Sequence, residues 1–218
     1  MSSPIATLLR SGRLLVPAVA ACLLGALLAA PAGGAKPPKA AAPAKPADPA
    51  KPAPAPPKPP VPNAALAQLK PLAGSWTCAG HTLGPGPEHA TSAAMVFTWQ
   101  LDGFWLEVRY DETKNTANPV PFNYVSQWGF DELQQTLAAT TVDNTSGIAT
   151  QSSAGWQGDK LVFEGTAHRY TRQFEVRDTF VRRGENQLLH TLQANVNESW
   201  IKLHEDTCDR APAAKPGS

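Results

Sequence analysis

The sequence predicts an antiparallel up-and-down β-barrel of about nine or ten strands, an all-β fold. Three observations predict it. From Asn63 onward, apolar residues recur with a period of two, in short runs broken by turn residues roughly every ten positions. The region opens on Leu72-Ala-Gly-Ser-Trp-Thr-Cys78, in which Gly74 lets the backbone approach a neighbour and the Trp76 ring plugs the closed end. Cys78 shares a strand face with Trp76, and its partner is Cys208 at the far end of the region. Joining the first strand to the last is what closing a barrel requires.

Composition confines this fold to one stretch of the 218 residues. All six Trp, seven Phe and three Tyr follow Asn63, so nothing earlier can build a core. Charge divides the same way. Residues 63–210 carry eleven Lys and Arg against seventeen Asp and Glu, a net of −6, while residues 36–62 carry five Lys and one Asp, a net of +4. An acidic domain on a basic tether argues against nucleic acid as a partner, because phosphate contacts need the opposite sign.

Residues 1–35 read as a secretory signal peptide. Arg10 and Arg13 supply the charged start, Leu14 to Leu28 the apolar run, and Ala30-Pro31-Ala32, with Ala35 behind it, the small residues for cleavage. Val19-Ala-Ala-Cys22 resembles a lipoprotein box, but Leu23 to Leu28 continues the apolar run where a polar tether should begin, which argues against anchoring at Cys22. The expected localisation is export, to a periplasm or the exterior, with no stable membrane insertion after cleavage. Residues 36–62 hold twelve Pro and eight Ala with the five Lys. Such a chain cannot form a helix or sheet ladder and has no apolar surface to bury, so an extended disordered linker is expected. Its spaced lysines suit anionic envelope polymers. Residues 211–218 are expected to be a disordered tail.

Within residues 63–210, Asn63 can cap a short helix whose Leu66 and Leu69 share a face and which Pro71 should stop, covering one mouth of the barrel. Thr91 to Leu101 puts Met95, Phe97, Trp99 and Leu101 on one face, with Asp102-Gly103 as a tight hairpin turn. Phe104, Leu106, Val108 and Tyr110 follow, then Phe122, Tyr124, Trp128 and Phe130, then a strand from Gln134 to Val142. Asn144 to Gly147 turns the chain toward Ile148, and Gln157-Gly-Asp159 precedes Leu161-Val-Phe163. Phe174, Val176 and Phe180 line another strand, Leu188 and Leu192 the next, and Trp200 to Cys208 the last. The connections are too short for helical crossovers, which excludes a parallel sheet.

Three motifs occur in order: Leu72-Ala-Gly-Ser-Trp76, Leu101-Asp-Gly-Phe-Trp105 and Gly155-Trp-Gln-Gly-Asp159. Together they resemble the small lipocalin-like domains, mostly bacterial and secreted, that form a domain family of unknown function, and more distantly the nitrobindins. The resemblance implies a lipocalin-like barrel and carries no activity onto residues here. Through the nitrobindins it brings in haem as the alternative to having no cofactor.

The chemistry-bearing residues then sort as follows. Cys22 leaves with the signal, so Cys78 and Cys208 form an even pair in an oxidising compartment, expected as a structural disulfide. The expected ligand-binding set is Trp99, Tyr110, Tyr124, Trp128 and Phe163, inward by parity, with His190 on the apolar face of its strand. Ala139 and Gly165 bring small residues to the same lumen. His204 and Asp206 share a face, where a salt bridge at the rim or a solvated strand end is expected rather than a metal site. No nucleophile elbow, phosphate-cradling loop or His-Glu-x-x-His occurs. The expected function is binding of a small, mostly apolar molecule. The alternatives are a haem barrel using His190 or His204, an enzyme using the same His with a carboxylate, and a plugged barrel with a structural role in the envelope.

Overall fold

Asn63 caps the first described helix, its side chain accepting a hydrogen bond from Ala65 N at 2.8 Å. A 3-10 helix, Ala64–Leu72, follows. Three residues per turn align Leu66, Leu69 and Leu72 along one edge, and all three are buried. Pro71 lies inside this helix rather than stopping it. Its ring fixes a φ that suits a helix, and the Gln68 carbonyl that its missing N–H would have bonded accepts from the Trp156 indole instead. The computed structural model describes residues 57–84, 87–116 and 118–212. The signal peptide (1–35), most of the linker (36–62) and most of the tail (211–218) lie outside the described residues.

Eleven strands follow: β1 (Gly74–Thr82), β2 (His89–Gln100), β3 (Trp105–Glu112), β4 (Asn123–Asp131), β5 (Thr136–Asp143), β6 (Ile148–Ser153), β7 (Trp156–Gln157), β8 (Lys160–Arg169), β9 (Arg172–Arg182), β10 (Gln187–Val196) and β11 (Ser199–Arg210). Each pairs antiparallel with the next, except that the two-residue β7 folds back on β8 and leaves β6 to pair with β8 directly. β1 pairs with β11, so ten strands close a ring. The all-β up-and-down barrel expected from the period-two pattern is the fold observed. The strand expected to end at Leu101 ends at Gln100, which pairs with Trp105. Leu101, Asp102 and Gly103 all take positive φ (47°, 57° and 87°), so the turn begins one residue early and Leu101 faces solvent.

The first-to-last closure carries the cross-link. Cys78 and Cys208 are direct register partners in the β1–β11 ladder, fully buried and joined as a disulfide. Such a buried cross-link is suited to an oxidising, exported setting. At the closed end, the buried Trp76 donates its indole N–H to Leu72 O at 2.9 Å. The Arg210 guanidinium lies 4.2 Å over the Trp76 ring and donates to the carbonyls of Ala73 and Pro71. Gly74 serves this corner through its conformation more than through close approach. Its φ of +119° is one that side-chain-bearing residues rarely adopt, and the atom nearest a notional Cβ belongs to Arg210 at 3.2 Å. Gln68 ties the helix to β7, accepting from the backbone N–H of Trp156 on its side-chain oxygen and from the Trp156 indole on its carbonyl, both at 3.1 Å.

Above this cap aromatic rings fill most of the lumen. Phe97, Trp128, Phe163 and Phe180 interlock, with ring centroids 4.5–5.7 Å apart for Trp128 against the other three. Among the described residues no helix is long and apolar enough to cross a membrane.

Candidate ligand cavity and its polar floor

Packing ends halfway up the barrel. Beyond it lies a cavity of about 240 Å³, walled by Tyr110, Tyr124, Phe122, Phe174, Val176 and Leu192 and open at the end opposite the helix. Small side chains on neighbouring strands make the room: Ala149 on β6 and Ala167 on β8 are register partners, and both line the space. The interior is therefore neither plugged nor empty. Its lower half is core and its upper half is a pocket.

A polar cluster forms the floor, and its placement follows from register. Gly80 on β1 pairs with Asp206 on β11 and with Thr91 on β2. A Cβ at Gly80 would fall on the Glu205 carbonyl and the Asp206 carboxylate. Without it, Asp206 reaches across β1, and its Oδ1 accepts from Thr91 Oγ1 at 3.0 Å. Asp206 Oδ2 accepts from the Tyr110 hydroxyl at 2.7 Å and from His204 Nε2 at 2.6 Å. His204 Nδ1 faces Thr82 Oγ1 at 3.3 Å, its register partner's hydroxyl. Asp206 is fully buried. That burial pushes its pKa up, but the His204 and Tyr110 hydrogen bonds and the nearby His204 and His190 rings outweigh it, holding the carboxyl below the usual range. Burial first, then the Asp206 charge and hydrogen bond, drives the Tyr110 phenol far above its ordinary value, so it is a fixed donor.

His190 stands beside this cluster, paired in register with both Asp206 and Phe180. Its ring stacks on Phe180 at 4.7 Å, and its Nε2 donates to Asp178 Oδ1 at 3.1 Å. Asp178 Oδ2 accepts in turn from Gln151 Nε2 at 3.1 Å. The other ring nitrogen, His190 Nδ1, is buried with no hydrogen-bond partner.

At the mouth, Asp143 organises the β5–β6 turn. Its Oδ1 accepts from the N–H groups of Thr145 (2.8 Å) and Gly147 (2.9 Å) and from Thr145 Oγ1 (2.6 Å), and its Oδ2 accepts from Arg169 (2.7 Å). Burial raises its pKa, and these four bonds more than reverse that, leaving it below the ordinary value. A carboxyl depressed on folding stabilises above its unfolded pKa of about 4 and loses that contribution as pH falls through the lower folded value. Asp143→Asn is therefore expected to cost about 1.5–3 kcal/mol in urea unfolding at pH 7. The difference from wild type should shrink below about pH 4. An unchanged pH profile would sink this assignment.

The residues singled out from sequence divide by height. Tyr110, Tyr124 and His190 line the cavity, and Tyr110 and Tyr124 stack at 5.2 Å. Trp128 and Phe163 do not; they sit one layer below, around a void of about 10 Å³ shared with Tyr124, Gln151 and Asp178. Trp99 lies past Phe97, which pairs with Gly74, and so stands at the closed end, away from the cavity. Parity placed it inward correctly, but parity is silent on height along the strand. Ala139 is a register partner of Trp128 and fills core, and Gly165 does not line the pocket. The expected rim position for His204 and Asp206 is corrected: the pair is inside the lumen. Asp206 stands two residues from the buried Cys208 on the same face, a signal that could have placed it there. Asp178, Gln151, Thr91 and Arg210 carried no readable signal, because their roles come from partners on distant strands.

No family model matches the chain, and no curated protein matches it. Among solved structures, the crystal structure of Rv2717c from M. tuberculosis superimposes with a TM-score of 0.52 at 14% identity, over 70% of this chain and 100% of that one. At that identity the likeness is one of fold: the chain is similar to that protein in being a closed antiparallel barrel.

Proposed function

We propose that this domain is an exported lipocalin-like barrel that binds a small, mostly apolar molecule bearing one hydrogen-bonding group. The observation that carries this reading is the half-filled lumen: an apolar-walled cavity of about 240 Å³ with His190, His204 and Tyr110 at its inner end. An apolar cavity of about 150 Å³ holds benzene, so this one takes a guest somewhat larger than a single ring. Burying roughly 200–300 Å² of guest surface supplies about 5–7 kcal/mol before ordering costs, which sets affinity at micromolar or weaker. The same room weighs against haem, whose four linked pyrrole rings far exceed one benzene.

Titrating intrinsic tryptophan fluorescence with short- and medium-chain fatty acids, the matching alcohols, retinol and haem tests the reading. Trp128, one layer under the cavity, is the expected reporter, so the response should be saturable for guests of moderate size and diminished in Trp128→Phe. Tight haem binding with a visible absorption band would favour the haem barrel instead. No response to any of them would leave the structural role in the envelope as the better reading.

A further inference from the structure

We propose that His190 Nδ1, His204 Nε2 and Asp206 Oδ2 form a binding site for a divalent first-row transition ion of the zinc type. One donor atom from each of these three residues lies within 4.8 Å of the others. An ion about 2.0–2.2 Å from nitrogen and oxygen donors holds them a little over 3 Å apart, so the site closes with movements on the order of 1 Å. Two imidazoles and one carboxylate are a donor set that zinc takes with a position left open. The open position here faces the cavity, since His190 and His204 both line it.

The surroundings match what a ligating imidazole requires. Such a ring gives its second nitrogen's proton to a carboxylate, which fixes the tautomer and turns the free lone pair toward the ion. His190 does this: Nε2 donates to Asp178, Asp178 is itself held by Gln151, and Nδ1 is left buried without a partner. In an otherwise satisfied cluster that atom is the one the hydrogen bonds do not explain. His204 needs only to carry its proton on Nδ1, where Thr82 Oγ1 accepts it, so that Nε2 offers the ion a lone pair. Asp206 Oδ1 keeps its bond from Thr91, and Oδ2 keeps the Tyr110 hydroxyl while offering the metal the lone pair that now faces His204. The site does not depend on the apolar guest, and the metal alone is the probe.

Untagged full-length chain, stripped with a chelator, is titrated with Zn²⁺ by calorimetry and with Co²⁺ by visible absorption. The expected result is one ion per chain and the strong absorption of low-coordinate cobalt. His190→Gln and His204→Gln should each abolish it, and Asp178→Asn, a positioning change, should weaken affinity about 10–100-fold. His81→Asn, on an imidazole outside the cluster, should leave binding unchanged. Circular dichroism and melting of each metal-free variant show whether it folds, and if the two histidine variants do not, Asp178→Asn and the cobalt spectrum decide. Absence of cobalt absorption, or binding that survives in folded His190→Gln, would overturn the site. Loss of guest binding with metal binding intact would count against the apolar-ligand reading alone.

Discussion

Replacing Cys78 and Cys208 together by Ser is expected to lower the melting temperature by roughly 10–20 °C. The disulfide spans 130 residues. In the chain-entropy model, releasing a loop of that length lets the unfolded chain recover about 5 kcal/mol of entropy at 25 °C. For a domain of this size each kcal/mol moves the melting point by about 2–4 °C. The β1–β11 ladder still has its other register partners without the cross-link, from Trp76–Arg210 to Thr82–His204. The variant should therefore fold to the same barrel with the same far-ultraviolet spectrum. Calorimetry of oxidised wild type against the double variant reads the shift. A change of only a degree or two would mean that the ladder alone holds the closure and that the unfolded chain is already compact.

The second large effect is expected at the closed end. Trp76→Ala should cost about 3–5 kcal/mol, the range for removing a buried aromatic ring. The ring is buried, its N–H satisfies Leu72 O, and its face carries Arg210, which also holds the carbonyls of Ala73 and Pro71. Its loss removes the ring face that Arg210 covers and opens a cavity in the buried cluster that also holds Leu66, Leu69 and Leu72. Trp99→Ala, which removes a half-buried ring at the same end, is the control and should cost distinctly less. Urea unfolding of the two variants checks the order. Equal costs would show that the Gly74–Trp76 corner is ordinary core and does not seal the barrel.

Much of this fold was legible from sequence, because its determinants are local or repeat. Alternation in Met95, Phe97 and Trp99, or in Leu106, Val108 and Tyr110, sets which side chains face inward. The pairing of Cys78 with Cys208 followed from their positions at the two ends of the barrel. The site was legible only in part. Tyr110, Tyr124 and His190 were found because parity and side-chain type sufficed. Trp99, Trp128 and Phe163 satisfied the same test, yet they lie below the cavity, since height in a barrel depends on stagger between strands. The polar floor needs more still. Asp206 meets Tyr110 only because Gly80 lies between them on β1, an arrangement set by the β1–β11 and β1–β2 registers and not by any one strand.

The most direct test of the binding claim is to fill the cavity and repeat the fluorescence titration. Ala167 lines the space beside Phe174, its partner on β9, and Ala167→Phe places a ring where the guest would lie without touching the floor. Wild type should bind a medium-chain alcohol or acid saturably, and Ala167→Phe should fold and melt like wild type but show no saturable response. Equal binding by the two proteins would contradict a guest held inside this barrel.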